Sequence, residues 1–211
     1  MNGKTAYFIF MALLLVGLAV SALIPEAFVD RNTRSERSDI YTFMGEESGR
    51  DIEVRAARWY KGLFVDTHVT QASFDLTANP VPIEDPKLAG VNKIADKGIG
   101  WWEGRMRVLW MVAYQFLMRV SMALVWMPLA LLVIFPFLVD SLVARRIKTT
   151  SFAIASPHLH LIGSRVAFWT CILYGIMQLL PMRVHPAWTP FIIAVVAGSL
   201  WLAVSQFAKR A

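Results

Sequence analysis

The chain has 211 residues, 56% hydrophobic and 17% charged, with a mean hydropathy of +0.50. A soluble globular chain is about 45–50% apolar and about 25% charged, so the balance argues against an ordinary soluble domain and excludes disorder, which needs the reverse. The formal charge of +6, from 21 Lys and Arg against 15 Asp and Glu, would suggest nucleic acid in a soluble protein, but a membrane protein gathers the same surplus in its cytoplasmic loops.

Four uncharged runs carry most of the hydrophobicity. They are Ala6–Ile24, Val120–Val139, Val166–Met182 and Ala187–Ala208, with 19, 20, 17 and 22 residues. A bilayer core about 30 Å thick needs about 17–25 residues of helix, and backbone in lipid must bond to itself. The expected fold is therefore an all-α integral membrane protein of four transmembrane helices, with a helical exported segment between the first and second. Pro128 and Pro136 should kink the second span. The first run, residues 1–24 with its flank, reads as a retained anchor. Lys4 and Val20-Ser21-Ala22 also suit a cleavable secretory signal.

Between the first two spans, residues 25–105 hold 11 basic and 14 acidic residues. Ile52, Ala56, Trp59, Tyr60, Leu63 and Phe64 follow helical spacing, with Asp51 and Arg55 as an i,i+4 pair on the wet side. Asn79-Pro80-Val81-Pro82 and Asp85-Pro86 mark a turn-rich break. Trp101 and Trp102 suit the headgroup belt. Beyond them Val108–Met118 is too short to span, so Arg105–Arg119 forms either an interfacial helix that turns at Arg119 or the start of one long helix reaching Val139. In the long helix Arg119 would snorkel at the outer surface.

The membrane domain is residues 106–211, with spans at about 120–139, 166–182 and 187–208 and a basic cytoplasmic loop at 140–165. Short pieces decide orientation. With the N-terminus inside, Lys4, Arg145, Arg146, Lys148, Arg165, Lys209 and Arg210 all lie on the cytoplasmic side, opposed only by Asp140. Both termini are therefore expected on the cytoplasmic side, with residues 25–105 exported.

No motif for catalysis or phosphate binding is present, and the expected spans contain no His, Asp, Glu or Lys. Neither an enzyme nor a cofactor is expected, and an ion or solute carrier is disfavoured. His158 and His160 form an H-x-H pair without a third nearby ligand, so no metal is expected. The single Cys171 excludes an internal disulfide. Ala194 and Gly198 form a small-xxx-small pair in the fourth span. Arg145, Arg146 and Lys148 beside the second span suit anionic headgroups or an acidic partner surface. They are too few to suggest direct nucleic-acid binding.

The C-terminal half resembles the DUF4400 family of membrane proteins encoded by integrating conjugative elements and conjugative plasmids. The matching residues are Pro128–Leu132, Leu138–Arg146, Ser151-Phe152, Leu159-His160, Arg165, the hairpin Leu179–Trp188 and Ser205–Lys209. The resemblance implies a non-enzymatic subunit beside the coupling ATPase of a conjugative type IV secretion machine. It points to Arg145, Arg146, Lys148, His160 and Arg165 for contact with the coupling ATPase and other membrane subunits. Arg183, His185 and Pro186 would shape the outer hairpin, where His185-Pro186 also reads as a simple turn. The competing reading is a small channel or transport subunit.

Overall fold

A computed structural model describes residues 24–78, 89–150 and 156–207. Every regular element among them is helical: α1 (Glu26–Met44), α2 (Glu46–Tyr60), a π segment (Lys61–Val65), α3 (Val69–Ala78), α4 (Ala89–Val125), α5 (Met127–Thr150), α6 (Pro157–Leu179) and α7 (Trp188–Ser205). The all-α expectation holds. The first expected span lies outside the described residues except for Ile24, and so does the turn-rich break at 79–86. Four described stretches are long and apolar enough to cross a membrane: Gly100–Val125, Met127–Lys148, His158–Leu179 and Trp188–Ser205.

The chain divides into two compact units, one of Met1–Ser121 with Leu179–Arg183, the other of Met122–Gln178 with Val184–Ala211. In the first, Pro25 holds extended backbone before α1, and Glu26 places a carboxylate at that helix's positive end. Gly45 then separates α1 from α2 with φ +84°, a conformation that glycine adopts without a Cβ clash. Glu46 and Glu47 follow in the first turn of α2, and Arg58 lies in its last. The buried apolar side chains of this unit include Val29, Ile40, Ile52, Ala56, Val108 and Met118.

Across α1 and α2 the Tyr41 hydroxyl donates to Glu53 Oε2 at 2.6 Å, and Arg37 meets Glu53 Oε1 at 2.5 Å. The expected Asp51–Arg55 pair does not form; Arg50 reaches Glu46 at 3.8 Å instead. The hydrogen bond to Glu53 raises the Tyr41 phenol above its ordinary value. A raised folded-state pKa stabilises fully below the ordinary tyrosine value, and that contribution is lost as pH climbs through the raised one. Tyr41→Phe should therefore flatten the alkaline limb of a stability-versus-pH curve.

At Lys61 the helix widens into a π turn. The local change in register brings both Tyr60 and Phe64 onto Trp110, with ring centroids 6.5 and 5.2 Å away, and Tyr60 also meets Tyr114 edge-on at 5.8 Å. Trp110 Nε1 donates to Ser73 Oγ at 3.0 Å, which fastens α3 to α4. This cluster explains the apolar spacing of residues 52–64: its later members pack on α4.

α4 runs unbroken through Arg119, so the chain makes no turn there, and it ends at Val125 rather than reaching Val139. Trp126 separates it from α5 because Pro128 has no N–H to offer the Leu124 carbonyl. Helical bonds persist on either side, from Trp126 N to Met122 O and from Ala130 N to Trp126 O. The apolar stretch that follows the break starts at Met127 and extends to Lys148. It therefore contains Asp140, which lies just beyond the second expected span. By contrast, α1 and α2, which share α4's unit, expose Arg31, Arg34, Arg37, Glu47, Arg50 and Asp51. Such a surface is foreign to hydrocarbon, and α4 buries Val108, Leu117 and Met118 in the core of the same unit.

In the second unit α5 packs along α7 and exposes Leu131, Leu132, Phe135, Leu142 and Ile147. That pattern is expected of a helix whose solvent is lipid. α6 approaches α7 closely at Gly163, where an added Cβ would lie 2.7 Å from Ala203 N and 2.8 Å from Ser199 O. Small residues at such a crossing let helix backbones meet. The Ala194–Gly198 pair is not used this way: a Cβ on Gly198 would meet open space.

Candidate functional site

The first unit is organised around a buried charge. Arg119, on α4, is 0% exposed, as is Glu36, on α1. Arg119 Nε donates to Glu36 Oε1 at 2.7 Å and Nη2 to Oε2 at 2.8 Å, a two-bonded fork that fits guanidinium geometry. Gln115, one turn earlier, donates to Glu36 Oε2 at 2.6 Å and leaves its own Oε1 without a partner. The remaining Arg119 donors cap the turn after α6: Nη1 reaches Leu180 O at 2.7 Å, and Nη2 also bonds Met182 O.

The same turn is held twice more from α1. Asn32 Nδ2 donates to Pro181 O at 3.1 Å, and Arg183 forks onto Asp39 with two bonds of 2.7 Å. Contact with Asp39 raises the Arg183 guanidinium further above its ordinary value. Asn32, Glu36 and Asp39 follow i, i+4, i+7 spacing, so one face of α1 binds the turn. Arg119 is thus a buried anchor and does not snorkel. A polar stripe on a helix near an isolated arginine was the signal available in the sequence. It was masked by the many other charges of α1.

The Glu36 carboxylate faces the Arg119 fork and the Gln115 amide, with no nucleophile or histidine among its partners. Its chemistry is that of a lock, which fixes geometry, rather than of an acid–base pair. Beside it the aromatic cluster borders an open cleft of about 360 Å³ walled by Tyr60, Trp110 and Tyr114.

The second unit holds the other residues singled out by sequence. Arg145, Arg146 and Lys148 occupy the end of α5, while His160 and Arg165 lie in the first turns of α6. Phe207, just after α7, joins two of them. Arg145 Cζ sits 4.9 Å from the Phe207 ring centroid, and the His160 ring meets Phe207 edge-on at 5.1 Å. His160 Nδ1 lies 2.7 Å from Ala203 O and must carry the proton to make that bond. Ser156 N donates to the Gln206 side chain at 3.2 Å on the same side. Arg146 and Arg165 are exposed, and Arg165 lies away from the cluster, since five residues turn a helix by about 140°.

His185 and Pro186 lie just before α7. Ala187 N donates to His185 Nδ1 at 3.2 Å, Trp188 N donates to His185 O at 3.1 Å, and Pro186 is buried. Their visible role is the turn. Among the described residues no three His, Cys, Asp or Glu side chains converge as a metal-binding group.

No curated protein and no solved structure matches the chain. A family model does, over residues 19–208, which includes both the lock and the basic helix ends. The chain belongs to the DtrJ-like family, described as IncC plasmid conjugative DNA transfer protein DtrJ-like, and is accordingly a protein of conjugative DNA transfer.

Proposed function

We propose that this protein is a non-enzymatic accessory subunit of the bacterial inner membrane within a conjugative type IV secretion apparatus, assisting the coupling ATPase in assembly or substrate handover. The observation that carries this reading is the DtrJ-like family match over most of the chain. The resemblance of the C-terminal half to DUF4400 proteins points the same way. α5, α6 and α7 serve as membrane spans, with residues 25–105 exported and the C-terminus in the cytoplasm. The N-terminal run acts as an anchor or export signal.

In this orientation Arg145, Arg146, Lys148 and Arg165 face the cytoplasmic headgroups, where each cation near an anionic surface gains about 1 kcal/mol. The same side chains are available to an acidic patch on the coupling ATPase. The Phe207 clamp supports a contact role, because it gathers Arg145 from the end of α5 and His160 from the start of α6. Direct binding of nucleic acid is not part of the reading.

The test is a pull-down of the solubilised full chain from conjugating donor cells. Recovery of the coupling ATPase, with reduced transfer in a deletion strain, is expected. Loss of both effects would remove the proposal. A second reading, a channel or transport subunit, draws on the polar Asp140 and Gln178 within apolar stretches. It predicts conductance or solute flux in liposomes, which an accessory subunit would not give.

A further inference from the structure

Asp140 is the acid that the helix break at Trp126 brings inside an apolar stretch. Counted along α5, it lies thirteen residues beyond Met127 and eight before Lys148, about 20 Å and about 12 Å. It is exposed, and the α5 residues on its face at i±3 and i+7, Phe137, Val143 and Ile147, are exposed apolar side chains. Trp201 Nε1, on α7, donates to Asp140 Oδ2 at 2.6 Å. That is its only partner among the described residues. Arg145, the cation in the next turn, is turned onto Phe207 instead.

If α5 crosses the bilayer, as proposed above, this face offers lipid a carboxylate with one oxygen bonded and the other open. Lipid tails cannot satisfy it, and an aspartate is too short to snorkel as lysine or arginine does. Charged groups inside spans pair with one another across helices. We infer that the Phe137–Asp140–Val143–Ile147 face of α5 docks a transmembrane helix of a different protein, one that carries a lysine or arginine at the depth of Asp140.

Charge complementarity selects this occupant. A second copy packed in parallel through the same face would bring Asp140 against its own equivalent, and like charges at close range repel. A purely apolar helix would leave Asp140 Oδ1 unsatisfied in a dry contact. The Trp201 bond holds the carboxylate on its helix face, so the incoming cation meets a positioned acceptor.

The test uses the full chain reconstituted in phosphatidylethanolamine–phosphatidylglycerol nanodiscs and synthetic Leu/Ala transmembrane helices, with association read by resonance energy transfer. A helix with one lysine at the matching depth should bind about tenfold more tightly than the same helix with leucine there. Asp140→Asn should erase that preference, and Asp140→Lys should transfer it to a helix bearing glutamate. Equal binding of the lysine and leucine helices overturns the inference, as does a preference that survives Asp140→Asn. Circular dichroism and size-exclusion profiles show whether each variant remains folded. The membrane reading is tested apart from this, with Met127→Cys and Thr150→Cys each placed in a Cys171→Ser background. Labelling from opposite sides upholds the span, and labelling from one side overturns it.

Discussion

Arg119→Met should lower the unfolding free energy by about 3–5 kcal/mol, because it strands the buried Glu36 carboxylate without its cation. Glu36 would keep only the Gln115 amide, and the Leu180 and Met182 carbonyls would lose their donor. The expected result is a large fall in the thermal midpoint of the detergent-solubilised full chain, read by circular dichroism. The double variant Glu36→Leu/Arg119→Met should recover much of the loss, since an apolar pair of similar volume removes the stranded charge. A single variant as stable as the parent would show that Glu36 is not committed to Arg119. The distinction matters for function. If transfer frequency tracks stability across the single and double variants, the lock acts through folding alone.

Gly163→Leu is the second large effect. The native backbone leaves no volume for a side chain between Gly163 and the Ser199–Ala203 stretch of α7. Overpacking a close contact costs about 1–3 kcal/mol where neighbours can yield. Here the obstructing atoms are backbone, so the helices themselves must separate. That movement would also displace the Ala203 carbonyl from His160 Nδ1. Loss of a monodisperse size-exclusion peak is expected for Gly163→Leu. The same substitution at Gly198, where a Cβ has open space, should leave the peak intact. Equal behaviour of the two variants would argue against the close crossing.

The contrast between these two glycines shows what the sequence could and could not supply. Apolar periodicity revealed α2 and the helical class because it follows from local spacing. The small-residue pattern Ala194–Gly198 pointed to close packing, yet the approach occurs at Gly163, whose own small-xxx-small partner on α6 is Ala167. A pairwise contact depends on which helix arrives opposite, and a single chain segment does not encode that. Pro128 announced a disturbance in the second span. The resulting shift of the apolar stretch to Met127–Lys148, with Asp140 inside it, depended on where helical bonding resumed. Arg119 was readable as an anomaly in an apolar helix, but its partners lie 83 and 61 residues away along the chain. Among the basic residues named at first, Arg145 and His160 meet through Phe207, an aromatic whose role no charge pattern could reveal.

The turn at Leu180–Arg183 has a consequence for biosynthesis. Arg119 and Leu180 are separated by 61 residues, so Arg119 leaves the ribosome well before the carbonyls that complete its shell. At synthesis rates of about 5–20 residues per second, that interval lasts about 3–12 s. During this time Asn32, Glu36, Asp39 and Arg119 form an incomplete assembly whose last partners are still being made. The first unit therefore reaches its final form only when the turn between α6 and α7 has emerged, and a chain stopped before Leu180 would lack the segment that closes it.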